Sequence, residues 1–229
     1  MSFELPIFPL SVVLFPGMPL PLHIFEPRYR LMMSRVLDGD RTFGVALIVE
    51  GLEGFPGTLP APVGCTAEIV EDTVLPDGRI NLQSEGRRRF RLLSVREEDD
   101  YLIGTVEWME DEPQTASGEA HDVAQDVCRA LRRYLAIVAP GSQGAIEELE
   151  MPNDPEELSH WVAMLLAVPN EQKQTLLETT STLERLQQEL ALLQRAQIVQ
   201  QAFTRRSKFA ATELTPEKSA DDDSFVWLN

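Results

Sequence analysis

The side chains that could carry out acid–base, nucleophilic or metal chemistry are few in this chain of 229 residues, and they lie far apart. The histidines are His23, His121 and His160, and the cysteines are Cys65 and Cys128. No two of them are spaced as metal ligands are, so the sequence predicts no metal site. We expect both cysteines to be buried thiols in a reducing compartment.

The lysines do not suggest catalysis either. Lys173 opens a predicted exposed helix, and Lys208 and Lys218 flank a predicted tail, so none is placed as a desolvated general base would be. The chain also has no G-x-x-x-x-G-K-[ST] phosphate-binding loop. These patterns predict a protein that is not an enzyme and needs no cofactor. A cryptic hydrolase stays open as an alternative.

The charge of the chain argues against nucleic acid as a partner. The formal net charge is −17, with acidic side chains in excess in both halves. The cluster of Arg87, Arg88, Arg89 and Arg91 has two interpretations, a solvated strand face paired with carboxylates or an RNA patch, and the acidity favours the first. The sequence shows neither a long apolar window nor a basic and apolar leader at its start. We therefore expect a cytoplasmic location without membrane contact.

Residues 1–112 predict mainly β-structure, because β-branched and aromatic runs are separated by Gly, Pro and Asp. Pro19 and Pro21 remove two ladder donors, which predicts an extended segment at a sheet edge or crossing. One helix is expected, over Pro27–Leu37, with an apolar stripe that includes Met32 and Met33. The predicted strands are Glu4–Phe8, Val12–Phe15, Thr42–Val49, Cys65–Val70, Thr73–Leu75, Arg79–Gln83, Arg88–Val95 and Tyr101–Met109.

Residues 111–121 are polar and rich in helix breakers, which predicts a link between two lobes. Beyond it the apolar period becomes helical, and a helical bundle is predicted over residues 119–205. Its first helix should end before Pro140, and later helices should be capped by Asp154, Asn170 and Ser181. Residues 206–229 are predicted to form a flexible acidic tail.

Several motifs of the chain, taken in their order along the sequence, resemble those of the Lon protease N-terminal domain family. Residues 5–32 follow its opening pattern nearly throughout. The later matching segments are Val63-Gly-Cys-Thr-Ala-Glu-Ile69, Asp77-Gly-Arg79, Gly86-Arg-Arg-Arg-Phe90, Trp161, Gln174-Thr-Leu-Leu177 and Arg185-Leu186. The resemblance covers roughly residues 3–195.

This resemblance implies an α+β fold: a PUA-like bent β-barrel with one packed helix, followed by a C-terminal helical bundle. It implies a non-catalytic module that recognises polypeptides or unfolded proteins in protein quality control, with a protease or chaperone as partner. Full Lon proteases add an ATPase and a serine–lysine peptidase, and neither motif set is present in this sequence. Nucleic-acid or small-ligand binding by the barrel is the alternative. We expect a monomer or a weak homodimer.

Two places are candidates for peptide contact. The proline-stiffened loop 51–62 presents Leu52, Phe55 and Leu59, and apolar loop residues often mark contact surfaces. Met32 and Met33 suit an adaptable surface, because methionine side chains are flexible. Burial in the core is the alternative for both sets.

The residues of the opening motif are expected to be structural. We predict that His23 bonds to nearby backbone, and that Glu26 is a helix-terminal charge tethered by an arginine. The structural motif residues are Phe15, Pro16, Gly17, His23, Phe25, Glu26, Arg28 and Tyr29.

Overall fold

A computed structural model of the chain describes residues 1–51, 58–113 and 118–213, with side chains through residue 198. The strands are β1 (Ser2–Leu10), β2 (Pro19–Ile24), β3 (Thr42–Glu50), β4 (Leu59–Val74), β5 (Ile80–Glu98) and β6 (Tyr101–Trp108). The helices are α1 (Pro27–Asp38), α2 (Glu119–Val138), α3 (Gln143–Glu147), α4 (Pro155–Leu165), α5 (Asn170–Glu178) and α6 (Thr182–Glu213).

The six strands form one mixed sheet that closes on itself. The strand order is β2-β5-β4-β3-β1-β6, and β5 also pairs with β6. Closure depends on the length of β5, whose first part pairs with β2 over residues 80–85 and whose last part pairs with β6 over residues 90–98. The predicted α+β architecture of a bent barrel followed by helices is confirmed.

Long, bulged strands replace several of the shorter predicted ones. β4 joins the predicted Cys65–Val70 and Thr73–Leu75 strands, and β5 joins Arg79–Gln83 and Arg88–Val95. Register shifts interrupt the β4–β5 and β5–β6 ladders. A bulge bends a strand without ending it, so the breaks expected from turn residues are bends within continuous strands.

The predicted strand Val12–Phe15 is wrong. Residues 11–18 are an irregular connection between β1 and β2 that turns at Pro16 and Gly17. Its apolar side chains are buried in two different clusters, Phe15 beside the helices and Leu14 beneath α1. The apolar run therefore indicated burial rather than ladder pairing.

The proline-rich segment forms the edge strand β2, as predicted. Gly86 N donates to Met18 O. In this register, the backbone groups of alternate residues from Met18 onward bond to β5, and the backbone groups of the residues between them point to the outer edge of β2. Pro19 and Pro21 hold outward positions and offer no N–H there. The outer edge of β2 is therefore a poor template for a further strand.

The helix caps follow the sequence signals with one exception. Asp154 Oδ1 accepts from the backbone N–H groups of Glu156 and Glu157, each at 3.0 Å, and starts α4. Glu184 N donates to Ser181 Oγ at the start of α6. Asn170 does not cap α5: it is the first helical residue, and its Nδ2 donates to Ser11 O at 2.8 Å. Asn170 thus ties α5 to the barrel.

The barrel and the helices share an apolar cluster. Phe15, Val63 and Met109 from the barrel side are buried with Leu131 and Leu186 from the helices, among other residues. The lobe boundary between residues 112 and 119 stays a prediction, but either part alone would expose this cluster. α6 continues past the predicted end at Arg205, to Glu213, and residues 214–229 lie outside the described residues. In the described part of the chain, no helix has the length and apolar character needed to cross a membrane.

Candidate binding cleft between the barrel and the helices

A cavity of about 390 Å³ lies where the Pro16–Gly17 turn, the arginines of β5, the segment after β6 and α4 meet. Its apolar walls include Pro16, Met109, Trp161 and Met164. Its volume falls within the range of roughly 300–1,000 Å³ that ligand sites occupy. This cleft is the candidate site with the most varied chemistry among the described residues.

Two buried arginines share one carboxylate beside the cleft. Asp111 accepts from both Arg89 and Arg185, and all three side chains are at most 3% exposed. Thr182 Oγ1 donates to the same carboxylate at 2.8 Å. Burial lowers the pKa of each arginine to about 10, so both remain charged at neutral pH.

The remaining donors of these arginines hold the helices onto the barrel. Arg89 Nη1 donates to Leu177 O at 2.7 Å and to Thr179 O at 2.8 Å. Arg185 Nε donates to Ser159 Oγ at 2.8 Å, and its Nη1 donates to Thr179 O. The network therefore joins β5, α4, the end of α5 and the start of α6.

His160 lines the cleft as a neutral imidazole. It is 5% exposed, and its Nδ1 is buried without a hydrogen-bond partner. Burial lowers its pKa to about 2, and the charges of Arg185 and Arg89 act in the same direction. A buried nitrogen without a hydrogen-bond partner costs stability.

The fold brings Asp111, Glu156 and His160 together, with possible ligand atoms within 4.8 Å of one another. Sequence spacing did not predict this group, because Asp111 lies far along the chain from α4. Both oxygens of Asp111 already accept from arginines, and two guanidinium groups oppose a further cation. The group does not fit a metal ion.

We predict that His160→Gln reduces the loss of stability on acidification. The unfolded chain takes up a proton at His160 near pH 6.5, whereas the folded chain does so only near pH 2. Stability from this group is therefore lost as the pH falls below 6.5, by about 2 kcal/mol at pH 5. Thermal unfolding at pH 7.5 and pH 5 should show a smaller fall in melting temperature for the variant.

Glu189, a buried carboxyl that interacts with Arg185, titrates with the opposite sign. Burial raises the pKa of Glu189, so acidification favours its folded form. Both proteins retain Glu189, and the difference between them isolates His160. An equal fall in melting temperature in both proteins would contradict a neutral buried imidazole.

Comparison with known proteins identifies the family. The sequence profile of the ATP-dependent protease La (LON) substrate-binding domain matches residues 4–195. The chain belongs to this family.

Its Lon relatives are longer proteins. The chain is 26% identical over 191 residues to Lon protease 1 of Hydrogenovibrio crunogenus, and 28% identical over 193 residues to Lon protease 2 of Myxococcus xanthus. These matches cover 81% and 83% of the chain and 23% of each relative. The chain thus corresponds to under a quarter of the Lon proteases it matches.

Solved structures support the same assignment. A Lon N-terminal domain protein from Xanthomonas campestris is 29% identical, with a TM-score of 0.62 over 82% of this chain and 98% of that chain. The N-terminal domain of Mycobacterium avium complex Lon protease is 20% identical, with a TM-score of 0.62 over 84% of this chain and 98% of that chain, and it supports the fold alone.

The Lon opening motif mostly serves structure. Phe15 is fully buried, and Tyr29 packs on Phe8 with ring centroids 4.3 Å apart. Glu26 pairs with Arg28 at 3.1 Å, which agrees with the expected tether.

Four other motif residues meet solvent or the cleft, and Gly17 is one that lines the cleft. His23 is exposed, and its Nδ1 lies 2.6 Å from Asn81 Oδ1, so its partner is a side chain rather than the expected backbone. Phe25 is 61% exposed beside His23, and Pro16 lines the cleft.

The solvated interpretation of the arginine cluster is confirmed for three of its members. Arg87, Arg88 and Arg91 are exposed and paired with carboxylates. It is wrong for Arg89, which is buried because the helices cover this part of the barrel's outer face. An alternating pattern identifies a strand face but not what covers it.

The placement of Met32 and Met33 on a peptide-binding surface is corrected. Both side chains are fully buried under α1, within an apolar cluster that includes Phe43. Leu52 and Phe55 lie outside the described residues. Leu59 begins β4 and is 50% exposed.

Proposed function

We propose that this chain binds polypeptides without cleaving them. The observation that carries the proposal is its membership of the LON substrate-binding domain family over residues 4–195. The sequence lacks the phosphate-binding loop of an ATPase. The amine of Lys173, which would have to be free to act as a peptidase base, donates to the carbonyl of Met164. We infer a role in cytoplasmic protein quality control, as a monomer or weak dimer, with a protease or chaperone acting on what it binds.

The end of the β3–β4 hairpin is the surface we propose for apolar contact. Val49 is 61% exposed and Leu59 is 50% exposed, and they flank the loop that carries Leu52 and Phe55. Exposed apolar side chains around one loop favour a contact surface. Prolines block the outer edge of β2, so that edge does not favour addition of a polypeptide strand. We therefore propose that the polypeptide binds through side-chain contacts at the β3–β4 hairpin.

Nucleic-acid binding by the barrel is the second candidate, favoured only by the arginine cluster. Arg87, Arg88 and Arg91 already have carboxylate partners, and the net charge of −17 repels phosphates. Polypeptide binding therefore has the stronger support.

We predict that Leu59→Ser weakens binding of fluorescein-labelled reduced casein about fivefold, since about 1 kcal/mol of apolar burial is lost. Fluorescence anisotropy at low and moderate salt measures this, and the binding should tolerate salt. Leu93→Ser is the matched control, because Leu93 is also a strand leucine and is 51% exposed. Phe55→Ala extends the series into the loop.

Labelled RNA is titrated in the same experiment. Equal loss of casein binding in the Leu59 and Leu93 variants would remove the hairpin from the proposal. RNA binding that is tighter than casein binding, with a steep salt slope, would support the nucleic-acid function instead.

A further inference from the structure

We propose that the groove between α5 and α6 is occupied by residues 221–228 of the same chain, an acidic run followed by an apolar run. The groove is separate from the hairpin surface proposed above for polypeptide binding. The contact is internal to one chain, and it keeps the groove closed to other polypeptides.

The groove is partly apolar and carries one charge. It is a cavity of about 300 Å³ whose apolar lining consists of Leu176 on α5 and of Ala191 and Leu192 on α6. Among the described residues, Arg195 is the only charged one that lines it, and the other lining residues are polar and uncharged. Such a lining fits a segment that offers apolar side chains and a negative charge.

The charge of the groove differs between its two ends. Arg195 is exposed and makes no ion pair with the described residues. Gln188, which also lines the groove, donates through Nε2 to Glu184 Oε1 at 3.2 Å, so a carboxylate lies about three helical turns before Arg195. An acidic group is therefore favoured at the Arg195 end of the groove and disfavoured at the Gln188 end.

The segment 221–228 has the matching residues in the matching order. Three carboxylates, Asp221 to Asp223, come first, and the apolar run Phe225-Val-Trp-Leu228 follows them. Phenylalanine and tryptophan side chains bury large apolar areas when they are covered. With its carboxylates at Arg195, the segment places its apolar run toward Leu192 as the chain returns along α6.

The length of the chain allows this return. α6 is described to Glu213, and Arg195 lies about 27 Å back along the helix at about 1.5 Å per residue. At about 3.4 Å per extended residue, Asp222 reaches about 31 Å from Glu213, and Phe225 reaches about 41 Å. Asp222 therefore reaches Arg195, and Phe225 reaches Gln188, which lies about 37 Å back along α6.

The covalent connection makes even a weak contact well populated. Pro216 opposes a longer helix, because it lacks the backbone N–H and restricts the residue before it, so the chain can turn there. A segment joined by a short linker is present at an effective concentration of about 1 mM. A contact with a Kd of about 0.1 mM between separate molecules is then about nine-tenths occupied within one chain.

The test is a competition that uses the full chain. A fluorescein-labelled peptide of residues 220–229 is titrated with the unmodified protein and with the variant Phe225→Ser, Trp227→Ser, called the open-groove variant because its own segment lacks both aromatic side chains. We expect fluorescence anisotropy to show at least about tenfold tighter peptide binding to the open-groove variant. Equal binding to both proteins, or no binding to either, would overturn the internal contact.

Arg195→Glu, added to the open-groove variant, locates the peptide. We expect it to weaken peptide binding about tenfold, because repulsion replaces the attraction for three carboxylates. Arg133→Glu is the matched control, since Arg133 is exposed on α2, makes no ion pair with the described residues and lies outside the groove. Equal weakening by the two substitutions would mean a general charge effect and would remove the groove from the proposal.

Leu59→Ser in the open-groove variant separates the groove from the hairpin surface. It should leave binding of the 220–229 peptide unchanged, because Leu59 belongs to β4 and not to the groove. If Leu59→Ser weakens binding of this peptide and Arg195→Glu does not, the segment is a ligand of the hairpin and the groove assignment is wrong.

Sedimentation velocity distinguishes an internal contact from one between two copies. The unmodified protein and the open-groove variant should show the same mass over a range of concentrations. A dimer that forms only in the unmodified protein would mean that a second copy supplies the segment, which would overturn docking within one chain.

Discussion

Replacing Asp111 by Ala should lower the free energy of unfolding by about 3–5 kcal/mol, because it leaves two buried guanidinium groups without their shared counter-charge. Arg89 and Arg185 both bond to this carboxylate, and Arg185 is fully buried. Urea denaturation measures the change. Since barrel and helices share the cluster around Phe15 and Leu186, we expect one cooperative transition.

Asp126→Ala is the control for this experiment. Asp126 pairs with Arg129 on α2, but both side chains are more than half exposed, so the loss should stay below about 1 kcal/mol. A similar loss in the two variants would mean that the buried network contributes no more than a surface ion pair.

This network could not be predicted from local sequence patterns. Asp111 lies in a polar, breaker-rich segment that predicts an exposed link, and its burial depends on Arg185, far along the chain. One signal was present: Arg185 and Glu189 fall on the same face of α6 as Leu186 and Leu193, which are buried. Charged residues within an apolar helical stripe indicate a buried polar contact, but the stripe alone does not identify the partner.

The features that were predicted correctly are those with local causes. Pro19 and Pro21 determine an edge strand whatever surrounds them, and Asp154 caps α4 through adjacent residues. Arg89 and Met33 show the opposite case, because only tertiary packing decides whether a side chain on a given face meets solvent or another element. The same reason applies to His160, whose role depends on the cavity it lines.

Gly86→Ala should lower the free energy of unfolding by about 3 kcal/mol, at the upper end of the usual cost of overpacking. A Cβ atom on Gly86 would lie 2.1 Å from Phe15 O, and backbone cannot move aside as a flexible side chain can. The contact is fixed on both sides, since Gly86 N donates to Met18 O at 2.9 Å and Gly17 N donates to Gly86 O at 2.8 Å. Denaturant unfolding of the two proteins measures the difference.

Gly144→Ala is the control, because a Cβ atom there meets no heavy atom within 4 Å, and a helical Gly→Ala change should stabilise by up to about 1 kcal/mol. Equal stability of the two variants would show that the turn at Phe15–Gly17 does not need its close contact with Gly86. The contact also positions Pro16 and Gly17, which line the cleft. Because only the Gly86 substitution displaces this wall of the cleft, the difference in stability between the two variants measures how closely the turn and β5 must pack.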